Sequence, residues 1–314
     1  MHLRFVVCIG ACALLGCGRK PAGDATANFE GPPAPVAHQA LALTTGDYCR
    51  IVAQPGLSHW DGDVITTCPG AGASNEATGC RVAELGGATP RAVDVPAVRV
   101  ALRADGHTLV VLHTNGALTW RDTSGRETPI AAWASEPSVS PDGVRVAFVT
   151  LGQGVAAPRD GHFVPGTATR IVVHDLRDGR ERVIADDKNA STPWVVPNSD
   201  DVVYVSTRSG LASIWRGNGE YEIQVTNIGV EAGDQGVLPT FGRHAVWVSD
   251  ARRLVFEASA PSNSVWSYDV ARAALEPLGP GEWPQIGANG TVLAARSLSG
   301  DASCAISYPS NTKP

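Results

Sequence analysis

No stretch of this chain commits it to a known catalytic chemistry. There is no G-x-S-x-G elbow for a serine hydrolase. There is no H-E-x-x-H pair or close Cys/His cluster for zinc, and no glycine loop of the phosphate-cradling types. His107, His113, His162, His174 and His244 are scattered through different stretches, and each reads as a surface or hydrogen-bonded core residue. Asp61 with Asp63, and Asp186 with Asp187, offer oxygens of the kind calcium takes. They lack the graded spacing of a dedicated loop, so turn roles account for them. A basic stripe is missing as well. The net charge is −6, and without concentrated Lys/Arg a nucleic-acid partner is excluded. The apolar run at residues 5–15 is too short to span a bilayer as a mature helix. The expectation is no catalytic residue, no metal and no cofactor.

What is present is 34 Gly and 22 Pro among 314 residues, with short Val/Thr/Trp-rich runs between Gly, Asp, Asn and Ser. Runs of helical period are scarce, so the class is all-β. The length suits one large β domain or two small ones, with a core that needs no metal to hold it. With 43% apolar and 18% charged residues, the chain is not disordered overall.

His2 and Arg4 give a polar, basic start, and residues 5–15 have the length of a signal-peptide core. The run ends Leu14-Leu15-Gly16-Cys17, which resembles the bacterial lipobox. The resemblance implies a signal peptide over 1–16, which takes Cys8 and Cys12 with it, and an exported protein anchored to a membrane by lipid on Cys17. Gly18, a non-aspartate, is by the same resemblance compatible with the outer membrane where one exists. Residues 18–46 are rich in Ala, Pro and Gly and read as a flexible tether, so Cys17 and tether together occupy 17–46.

The chain then repeats itself. The clearest copy covers 137–184. Val139 leads into a Pro141-Asp142-Gly143 turn, and Val144, Val146 and Phe148 alternate with Arg145, Ala147 and Val149 as in a half-buried strand. Residues 171–174 make a third strand, Asp178-Gly179 a hairpin turn, and 181–184 a fourth. Together these form one four-stranded antiparallel sheet. Weaker copies follow Gly62, Gly106, Asp200, Asp250 and Gly290, which makes six units spaced roughly 40–55 residues apart, close to one propeller blade each. The second half of the unit recurs around Trp120, Trp215 and Trp266, whose rings are expected to pack between blades.

Ser140-Pro141-Asp142-Gly143 followed by V-R-V-A-F-V, and later I-V-V-H-D-L-R-D-G, resembles the WD-like propeller repeat of the TolB family. The resemblance covers most of 47–309 and implies a six-bladed β-propeller of four-stranded antiparallel blades, with a short tail at 310–314. TolB itself carries an α/β domain before its propeller, where this sequence has only the tether. The partners of TolB are therefore not carried over.

A propeller must join its last blade to its first or leave a sheet edge exposed. The last unit supplies three strands, near 284–286, 291–296 and 303–308, and residues 48–52 have no other obvious place. The expectation is that 48–52 forms an N-terminal strand that closes the ring. Exported chains keep disulfides. Cys49, Cys68, Cys80 and Cys304 allow three pairings. Cys68 and Cys80 can staple the loop of the first unit, which leaves Cys49 with Cys304 on the strands that closure makes neighbours. Four unpaired core cysteines are the competing reading.

Long insertions sort to faces of a propeller. Residues 69–79, 151–168 and 227–238 fall on the same face, and functional loops on a rigid scaffold are a common arrangement. The candidate binding residues there are Glu76, Arg159, Asp160, His162, Phe163, Glu231 and Asp234. Solvated insertions without a ligand are equally compatible with these loops. The reading that follows is a monomeric lipoprotein of the bacterial envelope, not an enzyme, that binds an envelope protein or a peptide. The alternative is an envelope enzyme, a glycan-directed lyase or hydrolase, with its site at the mouth of the propeller channel. A cluster of His, Arg and Asp/Glu at that mouth, with shifted pKa values, would favour the enzyme.

Overall fold

The computed structural model describes residues 43–68, 80–86, 89–93, 95, 98–104, 108–153, 168–210, 212–225, 241–248, 252–258, 263–287, 290–295 and 304–308. Cys17 with its leader lies outside them, as does the tether up to residue 42.

Six antiparallel sheets follow one another along the chain, each with its strands in chain order. Blade 1 holds β1 (Leu57–Asp61), β2 (Val64–Thr67), β3 (Arg81–Gly86) and β4 (Thr89–Val93). Blade 2 holds β5 (Val98–Arg103), β6 (Leu109–His113), β7 (Leu118–Arg121) and β8 (Glu127–Ala131). Blade 3 holds β9 (Ala134–Val139), β10 (Arg145–Leu151), β11 (Ala168–Asp175) and β12 (Glu181–Ala185). Blade 4 holds β13 (Ala190–Val195), β14 (Val202–Ser206), β15 (Ser213–Gly217) and β16 (Glu222–Gln224). Blade 5 holds β17 (Phe241–Trp247), β18 (Arg253–Ala258), β19 (Ser264–Asp269) and β20 (Ala274–Pro280). Blade 6 has three strands, β21 (Glu282–Ile286), β22 (Val292–Ala295) and β23 (Ala305–Tyr308). The fold is the all-β, six-bladed propeller that the repeats predict. β1 packs on β5, β5 on β9, β9 on β13, β13 on β17 and β17 on β21. The first strand of every blade therefore lines the axis.

Turn chemistry sets the hairpins. Gly143 takes φ 72°, where only glycine is unstrained, and its N–H donates to Ser140 O at 2.7 Å. Arg145 N then donates to Ser140 Oγ at 2.9 Å and starts β10. One expectation fails in this strand. Val146, Ala147, Phe148 and Val149 are all buried, so β10 is not half-exposed. The reason is tertiary: a blade is covered on both faces by its neighbours, and its middle strands become continuous apolar runs.

The core is distributed between blades. Six apolar clusters alternate with six sheets, such as Val146, Phe148 and Val172 against Leu102, Val110 and Leu118 between blades 2 and 3. All eight tryptophans lie in these clusters or pack against them. They are wedges between sheets.

Closure departs from the expected strand. Residues 48–52 belong to a helix, α1 (Thr45–Val52), and among the described residues blade 6 gains no fourth strand. The sequence T-T-G-D is a helix start: the Thr44 side chain accepts from Asp47 N at 3.1 Å, and Asp47 pairs with Arg50 one turn on. Tyr48, Ile51 and Val52 then share one face at helical spacing and are buried among Trp60, Ile65, Leu293 and Ala295. The helix is thus a wedge between blades 6 and 1. Tyr48 OH donates to Trp283 O at 2.8 Å, and Leu43 adds a single parallel bridge to Gly287. The cysteines pair as Cys49–Cys304 and Cys68–Cys80, with Cα atoms 5.6 and 4.1 Å apart. The first ties the wedge to the outermost strand of blade 6. The second closes the loop of blade 1.

These two bridges span 255 and 12 residues. Chain-entropy arguments make them worth at most about 5 and about 3 kcal/mol. Replacing Cys49 and Cys304 by Ser is expected to lower stability in denaturant titrations more than replacing Cys68 and Cys80. The double variant should also expose α1 to limited proteolysis. Equal losses from the two pairs would mean that the ring is held shut by apolar packing alone.

Candidate functional site

The axial strands of blades 3 to 6 carry one repeated irregularity. Two residues on the first strand face one on the second: Glu136-Pro137 face Phe148, Thr192-Pro193 face Tyr204, His244-Ala245 face Phe256, and Trp283-Pro284 face Ala294. The first residue of each pair has φ between 44° and 54°. Proline is tolerated there because a bulge on an edge strand requires no ladder N–H. Carboxylates bind the bulges across blades. Glu136 Oε2 accepts Thr192 N at 2.7 Å, and Glu257 Oε2 accepts Trp283 N at 3.1 Å.

Blade 5 breaks the pattern. After the facing aromatic, blades 3 and 4 place Val149 and Val205, and blade 6 has Ala295 at the matching position, all buried. Blade 5 places Glu257 there, 4% exposed. Burying a carboxylate costs several kcal/mol unless it is paired and hydrogen-bonded. Here His244 Nδ1 meets Glu257 Oε2 at 2.8 Å, and the Trp283 N–H donates to the same oxygen at 3.1 Å. The His244 ring lies on the Trp283 indole with centroids 3.5 Å apart and planes 15° from parallel. The plane of the ring is therefore held, with Nδ1 toward the carboxylate.

A second imidazole joins this pair. β1 packs directly on β17 although blade 6 lies between their blades in the chain order, and β1 carries His59. Residue 59 is half-buried, but its Nε2 is shut off from solvent and has no hydrogen-bond partner among the described residues. Burial, and then the charge of His244, push its pKa down to about 3. His59 is thus a neutral hydrogen-bonding group. Burial also pushes the Tyr48 phenol up, with Glu257 and Glu282 adding to the effect, so it remains a donor. Chemically, the cluster places one imidazole held against a carboxylate beside a second that burial keeps neutral.

A search against protein-family models and one against curated proteins each found no match. The fold, however, is similar to solved structures. An oligogalacturonate lyase in complex with manganese matches with TM-score 0.51 and 15% identity, over 69% of this chain and 64% of that one. TolB from Acinetobacter baumannii matches with TM-score 0.50 and 18% identity, over 74% of this chain and 59% of that one. A TolB from Agrobacterium tumefaciens matches with TM-score 0.51 and 14% identity, over 80% and 89%. The chain spans less than two thirds of the first two. At these identities the likeness shows the fold alone, a β-propeller.

The residues singled out from sequence are placed unevenly. Glu76, Arg159, Asp160, His162, Phe163, Glu231 and Asp234 all lie outside the described residues, as does His107. His113 Nε2 lies 3.1 Å from Glu127 Oε2, and His174 Nδ1 lies 3.4 Å from Glu181 Oε1, each pair within one blade. Asp63 meets the buried Arg103 guanidinium at 3.4 Å, and Asp61 accepts Arg103 N at 3.3 Å, so this pair ties blade 1 to blade 2. Buried Asp187 accepts Ser206 Oγ at 2.5 Å. Among the described residues no group of three or more His, Cys, Asp or Glu side chains is arranged for a metal. His59, Glu257 and Trp283 were not anticipated. The signal for them is the series S-E-P, S-T-P, R-H-A and E-W-P at one position of four units, with Glu257 interrupting the apolar run L-V-F-E-A.

Two measurements test this geometry. The fold lowers the pKa of His59 below its ordinary 6.5, so the unfolded chain binds the extra proton. Its contribution to stability is complete above pH 6.5 and is lost as pH falls from there toward 3. Thermal unfolding from pH 7 to pH 4 should show Tm falling, with a shallower slope in His59→Leu. The second measurement is a double-mutant cycle. Glu257→Val alone strands the His244 and Trp283 donors and should cost about 3–5 kcal/mol. Adding His244→Thr, which gives blade 5 the residues of blade 4, should recover most of that loss. No recovery would show the pair to be part of the fold's stability alone.

Proposed function

We propose that this chain is a lipid-anchored envelope protein whose propeller is a rigid, non-catalytic module for binding another envelope protein or a peptide. The observation that carries the reading is the locked ring. Helix α1 and the Cys49–Cys304 bridge close the six blades, and carboxylates pin bulge to bulge across blades. Such a frame holds its loops in place at little entropic cost, which is what a recognition surface needs. The likeness in fold to TolB supports a module of this kind. The Leu14-Leu15-Gly16-Cys17 sequence supports a lipid on Cys17, with the outer membrane as the favoured location. The protein acts as a monomer, and its acidic balance supports a partner other than nucleic acid.

A second reading has an observation of its own. The His244–Glu257 pair on the axial strands is the kind of group a glycan-directed lyase or hydrolase uses to move a proton. Likeness to oligogalacturonate lyase in fold permits this reading without selecting a substrate.

Crosslinked affinity purification of the tagged, membrane-anchored protein separates the two. The expected result is one envelope protein enriched by the native chain and lost when residues 151–168 are replaced by a short Gly-Ser turn. Enrichment unaffected by that replacement would move the binding surface elsewhere. No enrichment, with release of unsaturated or reducing ends from envelope glycans that His244→Ala abolishes, would establish the enzyme.

A further inference from the structure

Blades 1 to 5 each end in a fourth strand, and among the described residues blade 6 has three. The phase of its ladder decides what that leaves open. Gly287 N donates to Thr291 O, so Thr291 turns its peptide groups toward β21. By alternation along β22, Leu293 and Ala295 do the same. Val292 and Ala294 turn theirs toward β23, where they meet Tyr308 and Ile306. The N–H and C=O groups of Ala305 and Ser307 therefore point away from the sheet, and Ser307 is exposed. Their counterparts in the regular blades all have a partner. Ile171 and Val173 pair with β12, Val265 and Ser267 with β20, and Ile214 and Arg216 with β16 and the residue after it.

Composition marks the same edge. An open edge is a template for another strand, and native chains blunt it with charges or prolines. The outer strands of the other blades carry such residues: Pro90, Pro129, Arg182, Glu222 and Pro277. β23 reads Ala-Ile-Ser-Tyr and has none. It is also held at both ends. Cys304, directly before it, is bonded to Cys49 of α1, and Tyr308 donates to Pro280 O. We propose that the outer edge of β23 is a docking site for an extended, uncharged segment of a partner protein, which joins blade 6 as its fourth strand. Main-chain hydrogen bonds to Ala305 and Ser307 supply the attraction, and an edge anchored at both ends costs little to order. Side chains of the incoming strand alternate between the α1 side, where Ala305 packs, and the blade 5 side, where Tyr308 packs. β23 offers no charge to answer a charged residue opposite it, so the segment is uncharged. Residues 18–42 of this chain are poor strand formers, rich in Ala, Gly and Pro. A second copy would meet edge to edge over four residues, too short a contact for the roughly 1,200 Å² that a stable interface buries.

The test is amide hydrogen exchange, resolved by residue in NMR spectra of the full chain with both disulfides formed. The probe is a capped seven-residue peptide of alternating Thr and Val. In the chain alone, the amides of Ala305 and Ser307 should exchange at least tenfold faster than those of Ile306 and Tyr308. The peptide should slow them saturably. A peptide with Pro at its centre, or with Lys and Glu in place of Thr, should bind at least tenfold more weakly. Ser307→Pro removes one outward N–H and no bond of the ladder, so it should abolish the response to the peptide and leave Tm nearly unchanged. Ser307→Lys leaves the backbone intact and should also weaken binding, which separates loss of the edge from a folding defect. Edge amides already protected without peptide would mean that another segment of the chain covers β23. Protection that fades on dilution would mean a second copy. Either result overturns the proposal, as does a peptide that leaves the exchange unchanged. This site belongs to blade 6 and the loop at 151–168 to blade 3, so this test and the capture experiment fail independently.

Discussion

Everything in this molecule depends on the junction between blade 6 and blade 1. A propeller is a ring of sheets that bury their faces on one another, so an open gap would expose two apolar sheet faces at once. A borrowed strand is one way to fill that gap. This chain fills it with α1, whose buried Tyr48, Ile51 and Val52 complete the sixth interblade core, and fastens it through Cys49 to Cys304. Hydrogen bonding to the edge is exchanged for packing plus a covalent tie. Among the described residues blade 6 is three strands deep.

The same junction organises the polar cluster. Tyr48 of α1 donates to the carbonyl of Trp283, whose N–H is held by Glu257, which also holds His244. The wedge and the axial cluster therefore form one continuous set of contacts from the outer bridge to the axis. A group that must keep a fixed orientation is best built on such a frame, where every neighbour is itself restrained. That is a reason for the unusual residues to gather at blades 5, 6 and 1 and not in the regular blades 3 and 4.

Much of the fold was legible in the sequence. Ser140-Pro141-Asp142-Gly143 announces a turn, and the spacing of its weaker copies counts the blades. The pairing of the cysteines follows from ring closure, although residues 48–52 form a helix and not the expected strand. Cys49 is adjacent to Cys304 whether it sits on a strand or on a wedge, because closure brings both to the same seam. The helix itself was signalled by T-T-G-D, a capping pattern outweighed by the strand-like residues after it. The axial cluster was much less visible. Glu257 and His59 are ordinary residues in isolation, and only superposing four blades shows that one of them occupies an apolar position.

By itself, the sequence determined the elements and their number, because turn residues and short β-forming runs act locally. It also determined that the sheets would be apolar enough to stack. Only the tertiary structure decided that the middle strands are covered on both faces, that a helix closes the ring, and that His59 meets His244. Those outcomes depend on which surfaces remain to be buried once six sheets are arranged around an axis. Contacts between residues nearly two hundred positions apart leave no periodic trace along the chain.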